Sequence, residues 1–221
     1  MTEIIWKLLS LILPLALAYG LKKCGVFGSG DYKILSIIAM NITLPAAVIN
    51  SFSNIAFQKS LLMLPVISLA VDLAVVRIHM LIARLTKADT GRSMIGLMCG
   101  SGYNMGNFLI PFVQQFLGGD GVVRAALFDA GNSFMCLGGF YIYTLGHVVR
   151  DGEKMGIGAV IKKLLSSVAV DVNLLMIIIS LAGLKLPGCV REVVSTTASA
   201  NGFVSMFMIG MMFEIHFNRK Y

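Results

Sequence analysis

The sequence predicts an all-α polytopic membrane protein, and three observations carry that prediction. Of 221 residues, 57% are hydrophobic and only 13% charged, against about a quarter charged in soluble domains. Mean hydropathy is +0.84. The apolar residues fall in long continuous runs rather than alternating, so the runs are helices and not barrel strands, and each is close to the roughly 20 residues that a bilayer crossing needs.

Seven such runs are legible, near 4–21, 34–52, 61–82, 93–117, 122–149, 168–186 and 193–217. Short stretches rich in turn residues and charge separate them: "KKCGVFGSGDYK", "SNIAFQKS", "RLTKADTGR", "GGDG", "RDGEKMG" and "KLPGCVRE". With the N-terminus outside, thirteen of the eighteen Lys and Arg residues face the cytoplasm, Lys22, Lys23, Arg84, Lys87, Lys162 and Lys163 among them. Five face out: Lys7, Lys59, Arg124, Lys185 and Arg191. This bias orients the chain with Tyr221 on the cytoplasmic side, as an integral protein of a plasma or inner membrane. Removal of residues 1–18 as a signal peptide, with "ALA" as the cleavage site, would invert every later loop and reverse the bias.

The formal charge of +7 is explained by these loops and does not point to nucleic acid; the expected surroundings are the lipid bilayer, and a homodimer is left open. Cys24, Cys99, Cys136 and Cys189 show no C-x-x-C spacing and are read as reduced packing residues. No metal or cofactor motif is present. His79, His147 and His216 fall near span ends, too scattered for a metal site.

Two spans carry interruptions. In "CGSGYNMGNFLIPFVQQF" glycines, Asn104, Asn107 and then Pro111 lie inside the fourth run, and in "NITLPAAVINSFSN" Pro45 sits between Asn41 and Thr43 on one side and Asn50 and Ser51 on the other. Irregular backbone at membrane depth survives only where it lines a cavity or is covered by protein. If the fourth run unwinds around Gly102 to Gly106, a half-helix starting near Asn107 points unpaired N–H groups and a positive dipole end at mid-membrane, a place for an anion. The plainer alternative is a kink with small residues at a helix contact, since Gly102 and Gly106 stand in G-x-x-x-G spacing.

Asp72 lies inside the third run, where a carboxylate marks a proton or ion path or is held by neighbouring helices. Arg77 is off its helix face. Asp129 and Asn132 lie about one turn apart in the fifth run and either face a vestibule or, as the plainer reading, Asp129 pairs with Arg124.

These segments resemble the auxin efflux carrier family, related in fold to the bile acid sodium symporters. "NMGNFLIPFVQQFLG" is similar to that family's N-x-G-x-x-G-x-P crossover segment, with Asn104, Gly106, Pro111 and Gly118 in register and Leu109 in place of the second glycine. "TLPAAVINSFS" matches the second-span motif at Pro45, and "AALFDAGNS" the segment that follows the crossover at Asp129. The "LP" at Leu186 and Pro187 and the "IG" at Ile209 and Gly210 resemble the family's sixth and seventh spans.

The resemblance implies ten spans in two inverted repeats of five. Residues 1–149 are then the first repeat, 150–167 a cytoplasmic loop and 168–221 the first two helices of an incomplete second repeat. It further implies a secondary carrier of small organic anions such as carboxylates, working by alternating access where spans two and four cross. The expected substrate-facing residues are Pro45, Asn50, Ser51, Asn104, Gly106, Asn107 and Pro111; the expected ion-coupling residues, for H+ or Na+, are Asp72 and Asp129. The rival classes are a seven-span receptor, a fragment without transport, and an intramembrane hydrolase with Ser101 as nucleophile. The hydrolase lacks a histidine at matching depth. The receptor predicts unbroken helices and an external disulfide.

Overall fold

The computed structural model describes residues 2–100, 103, 105–140, 158, 162 and 165–214. Among these residues the regular structure is all helical, with no strand. The first span is α1 (Thr2–Lys23). The second is α2 (Tyr32–Ile38), a π turn at Ala39–Thr43 and α3 (Leu44–Ser53), which together run as one 22-residue helix. The third, Lys59–Leu85, begins as a 3-10 turn and continues as α4 (Met63–Leu85). The fourth starts with α5 (Thr90–Gly100), loses helical form, and resumes with a π turn at Met105–Leu109 that leads into α6 (Ile110–Phe134). The sixth is α7 (Val168–Leu181), and the seventh is α8 (Gly188–Ser199) followed by α9 (Asn201–Met212) with a joint at Ala200.

Four of these units, Thr2–Lys23, Tyr32–Ser53, Lys59–Leu85 and Gly188–Met212, are each long and apolar enough to cross a bilayer, and α7 is a shorter apolar helix. Outward-facing residues such as Trp6, Leu13, Val66, Ile78 and Ile178 are more than half exposed, the surface expected where lipid tails take the place of water.

The "GGDG" stretch is tighter than a loop. One residue, Gly118, leaves helical geometry at φ 66° and ψ −159°, a conformation essentially confined to glycine. It separates the end of the fourth span from the start of the fifth. Past Phe134 the fifth span continues through another π turn, Met135–Gly139, closed by the Phe140 N–H on the Met135 carbonyl.

The spans pack in two groups. In the first, α1 lies along α9, α3 along α7 and α8, and α2 against α9. Gly210 sets the closest approach, because a Cβ there would strike the Leu15 carbonyl and lie 2.9 Å from the Ala18 methyl. In the second, α4 packs on α6 and α5, and a Cβ on Gly131 would strike the Pro65 carbonyl and lie 2.8 Å from Ser68 Cβ. A buried layer of Leu44, Val48, Phe52, Ile110, Val123, Leu127 and Met176 joins the groups.

At one face of the bundle the ends of the first and last spans meet. Lys22 Nζ donates to the Met211 carbonyl at 2.9 Å and pairs with Glu214 at 3.3 Å, a cation placed on the unpaired carbonyls of a helix C-terminus.

Candidate functional site

The interruptions predicted at Pro45 and around Gly102 take different forms. In the second span the chain never leaves the helix. Proline has no N–H and its ring crowds the carbonyl one turn back; a π turn just ahead absorbs the mismatch, closed by the Leu44 N–H on the Ala39 carbonyl. Thr43, 3% exposed, turns its hydroxyl inward and donates to Asn201 Oδ1 at 3.1 Å. Pro45 is buried at the start of α3.

In the fourth span the helix stops. α5 ends at Gly100, Tyr103 is not helical, and the chain resumes at Met105. Asn132, 2% exposed, holds this stretch from the fifth span: its Oδ1 accepts from the Tyr103 N–H at 3.2 Å and its Nδ2 donates to the Tyr103 carbonyl at 3.0 Å. A side-chain amide carries both a donor and an acceptor, so Asn132 satisfies both backbone groups of Tyr103. The same Nδ2 donates to Asp129 Oδ1 at 3.0 Å.

The two interruptions touch. The π turn of the fourth span rests on the second, since a Cβ on Gly106 would lie 2.8 Å from Leu44 Cδ2, on the residue before Pro45. Asn107 is half-buried in that π turn, and Pro111 is fully buried at the start of α6. Further along, Gly119 lies over Ser51, 3.6 Å from its Cα to the position a Cβ would take. The Ser51 hydroxyl is used within its own helix, on the Ala47 carbonyl at 2.7 Å.

Asn50 stands apart from the crossing, near the end of α3, where its Oδ1 accepts from Asn54 Nδ2 at 3.2 Å. Asn104, Ser101, Gly102, His147, His216 and most of the 150–167 loop lie outside the described residues.

Asp72 and Asp129 converge on the unwound stretch from two sides. Asp72 is 1% exposed, and neither carboxylate oxygen has a hydrogen-bond partner among the described residues; the Ser68 hydroxyl one turn before is buried and likewise unpartnered. Asp72 lies near Tyr103 and Cys136, and Asp129 near Cys136. Arg77 is exposed on another face. The expected Asp129–Arg124 pair does not form: Arg124 instead binds Asp120 at 2.8 Å, one turn away on the same helix.

Sequence reasoning passed over Asn201 and did not assign Asn132 its partner. Both are asparagines inside apolar runs, and that was the available signal, because a buried amide in a membrane span requires something to bind. Asn173 in α7 is a third, its Nδ2 directed at the Ala126 carbonyl at 3.4 Å. His79 is structural, with Nε2 2.7 Å from the Ser93 carbonyl. No cluster of three metal-binding side chains occurs among the described residues, and the four cysteines are unpaired.

Apolar helices long enough to cross a bilayer, with an interrupted fourth span and a buried carboxylate inside the bundle, are the architecture of a polytopic membrane protein. Comparison with known families places it more narrowly. Residues 3–170 match the family model described as membrane transport protein, and the chain belongs to that family, the one that contains the auxin efflux carriers. It is 28% identical over 136 residues to an uncharacterized transporter of Methanothermobacter thermautotrophicus, a match covering 61% of this chain and 44% of that protein. The chain thus aligns with less than half of that relative's length. No solved structure matches it.

Proposed function

We propose that the protein is a secondary carrier of small organic anions, carboxylates foremost, with alternating access about the contact between the second and fourth spans. The observation that carries this reading is the loss of helix at Tyr103, held by the two hydrogen bonds of Asn132. A break in a membrane span persists only where protein or a cavity meets the freed backbone groups, and this one lies against the span that carries Pro45 and near a buried carboxylate with no hydrogen-bond partner among the described residues. In this reading the helix that restarts at Met105 offers its N-terminal end to the anion, with Gly106 and Asn107 on it and Asn104 just before it in sequence. Pro45 and Ser51 belong to the opposing second span, and Pro111 follows Asn107 on the fourth; Asn50 is further along α3.

Coupling is assigned to Asp72, aided by Asp129. A buried carboxylate with no partner is costly when ionised, by several kcal/mol in order of magnitude, so its charge calls for a proton or a small cation. Na+ or H+ meets that need, and the chain is oriented with its N-terminus outside.

The test is uptake of labelled dicarboxylates into proteoliposomes containing the purified chain, with imposed pH or Na+ gradients. Saturable flux that responds to one gradient is expected, and Asp72→Asn should remove the gradient response while leaving exchange. Binding of an organic anion without flux would favour a receptor instead, and a gradient response unchanged in Asp72→Asn would remove Asp72 from the coupling role.

A further inference from the structure

Away from the crossing, a cavity of about 430 Å3 opens at one end of the bundle between the end of α3 and the turn that joins α7 to α8. Its floor is apolar: Phe52 and Met176 are buried there, and Phe57 stacks on Phe52 with ring centroids 5.9 Å apart. Its rim is cationic, formed by Lys185 and Arg191. Neither makes an ion pair among the described residues. Arg191 is held in place, since its Nη2 donates to Asn54 Oδ1 at 3.2 Å while Asn54 Nδ2 donates to the Asn50 carbonyl at 2.7 Å.

The elements around the cavity place its mouth at the edge of the apolar zone. α3 ends at Ser53, α7 ends in a turn with Gly183 at φ +67°, and α8 starts after Pro187. The wall beside it is lipid-facing: Leu184 is 66% exposed, Ile178 63% and Val193 68%. A ligand there meets two positive groups at headgroup depth and an apolar surface leading down the outside of the bundle.

We infer that this cavity binds the phosphate-bearing headgroup of an anionic phospholipid, with Lys185 and Arg191 on the phosphate and an acyl chain against Phe57 and the outer face of α7. The chemistry requires both halves. A soluble anion would have no use for the apolar floor, and a zwitterionic lipid brings a second positive charge to the same rim. Each Lys or Arg near an anionic lipid surface contributes roughly a fivefold gain in affinity.

Native mass spectrometry of the detergent-purified chain tests this, titrating phosphatidylglycerol, phosphatidylcholine with the same acyl chains, and free glycerol 3-phosphate. One retained phosphatidylglycerol is expected, with phosphatidylcholine weaker and glycerol 3-phosphate unable to displace it. The double variant Lys185→Gln, Arg191→Gln should weaken binding on the order of twentyfold. Lys59→Gln, beyond the cavity near the start of the third span, should change it less than about twofold. Both substitutions replace exposed side chains, so folding is not at stake. The inference is overturned if no lipid is retained, if phosphatidylcholine binds as tightly, if glycerol 3-phosphate displaces the lipid, if the double variant binds normally, or if Lys59→Gln loses as much.

Discussion

The first, second, sixth and seventh spans and the third, fourth and fifth spans solve the same problem differently. Both groups are apolar helices brought close by a single glycine, Gly210 against Leu15 in one and Gly131 against Pro65 in the other. Both contain helical irregularities. In the first group the π turn before Pro45 and the joint at Ala200 are kept within continuous spans, and Thr43 and Asn201 bind each other across them. In the second group the helix is lost at Tyr103, and next to the loss stands Asp72 with no hydrogen bond to either oxygen among the described residues. The first group also leaves neutral amide atoms without a partner among the described residues, Asn201 Nδ2 and Asn173 Oδ1, whereas the second leaves an ionisable carboxylate, which is far costlier to bury bare and so calls for a proton or a cation.

The comparison breaks most visibly at the two glycines. Gly210→Ala and Gly131→Ala each drive a methyl into a backbone carbonyl of the neighbouring helix, and overpacking of that kind costs about 1–3 kcal/mol. Thermal unfolding in detergent should show both losses. The account of a rigid frame expects Gly210→Ala to lower stability while leaving gradient response intact in the surviving protein, and Gly131→Ala to alter both, because Gly131 adjoins Asn132. Equal effects on transport from the two substitutions would dissolve the distinction between the groups.

A smaller effect sharpens the frame itself. In a double-mutant cycle with Thr43→Val and Asn201→Leu, the coupling read from unfolding midpoints should be about 1 kcal/mol, the net worth of one buried hydrogen bond. A coupling near zero would mean that the π turn and the Ala200 joint are independent. Smallest of all is Asp120→Asn. The ion pair that it removes has both side chains more than half exposed, at 53% and 57%, and pairs of this kind contribute under about 1 kcal/mol. Its unfolding midpoint should stay within error of the unsubstituted chain. A large loss would show that Arg124 supports the fifth span in a way the exposed geometry does not account for.

Much of this architecture was legible in the sequence, and the reason is the bilayer. Apolar runs such as 4–21 and 61–82 have one reading in lipid, and the helices found there agree within a few residues. The proline at 45 announced an irregularity but not its kind, because a π turn keeps helical hydrogen bonds in a shifted register and an unwound gap gives them up, and composition does not encode which. Asn132 was visible as a polar residue in an apolar run. That it binds Tyr103, twenty-nine residues away, depends on how α6 docks against the break, and a single sequence carries no record of that docking. The misassigned Asp129–Arg124 pair has the same origin. Arg124 had an acidic partner four residues earlier, on its own helix face, and local geometry won.

The most direct measurement is dicarboxylate flux through proteoliposomes containing the Asn132→Leu variant, set beside the unsubstituted chain at equal reconstitution. Leucine keeps the volume but returns neither hydrogen bond, leaving the Tyr103 N–H and carbonyl without their Asn132 partner, at about 1–3 kcal/mol each where they are shielded from water. The account predicts saturable flux in the unsubstituted chain and its loss in the variant, with the helical circular dichroism of the bundle retained. Undiminished flux in Asn132→Leu, or none in the unsubstituted chain, would contradict it.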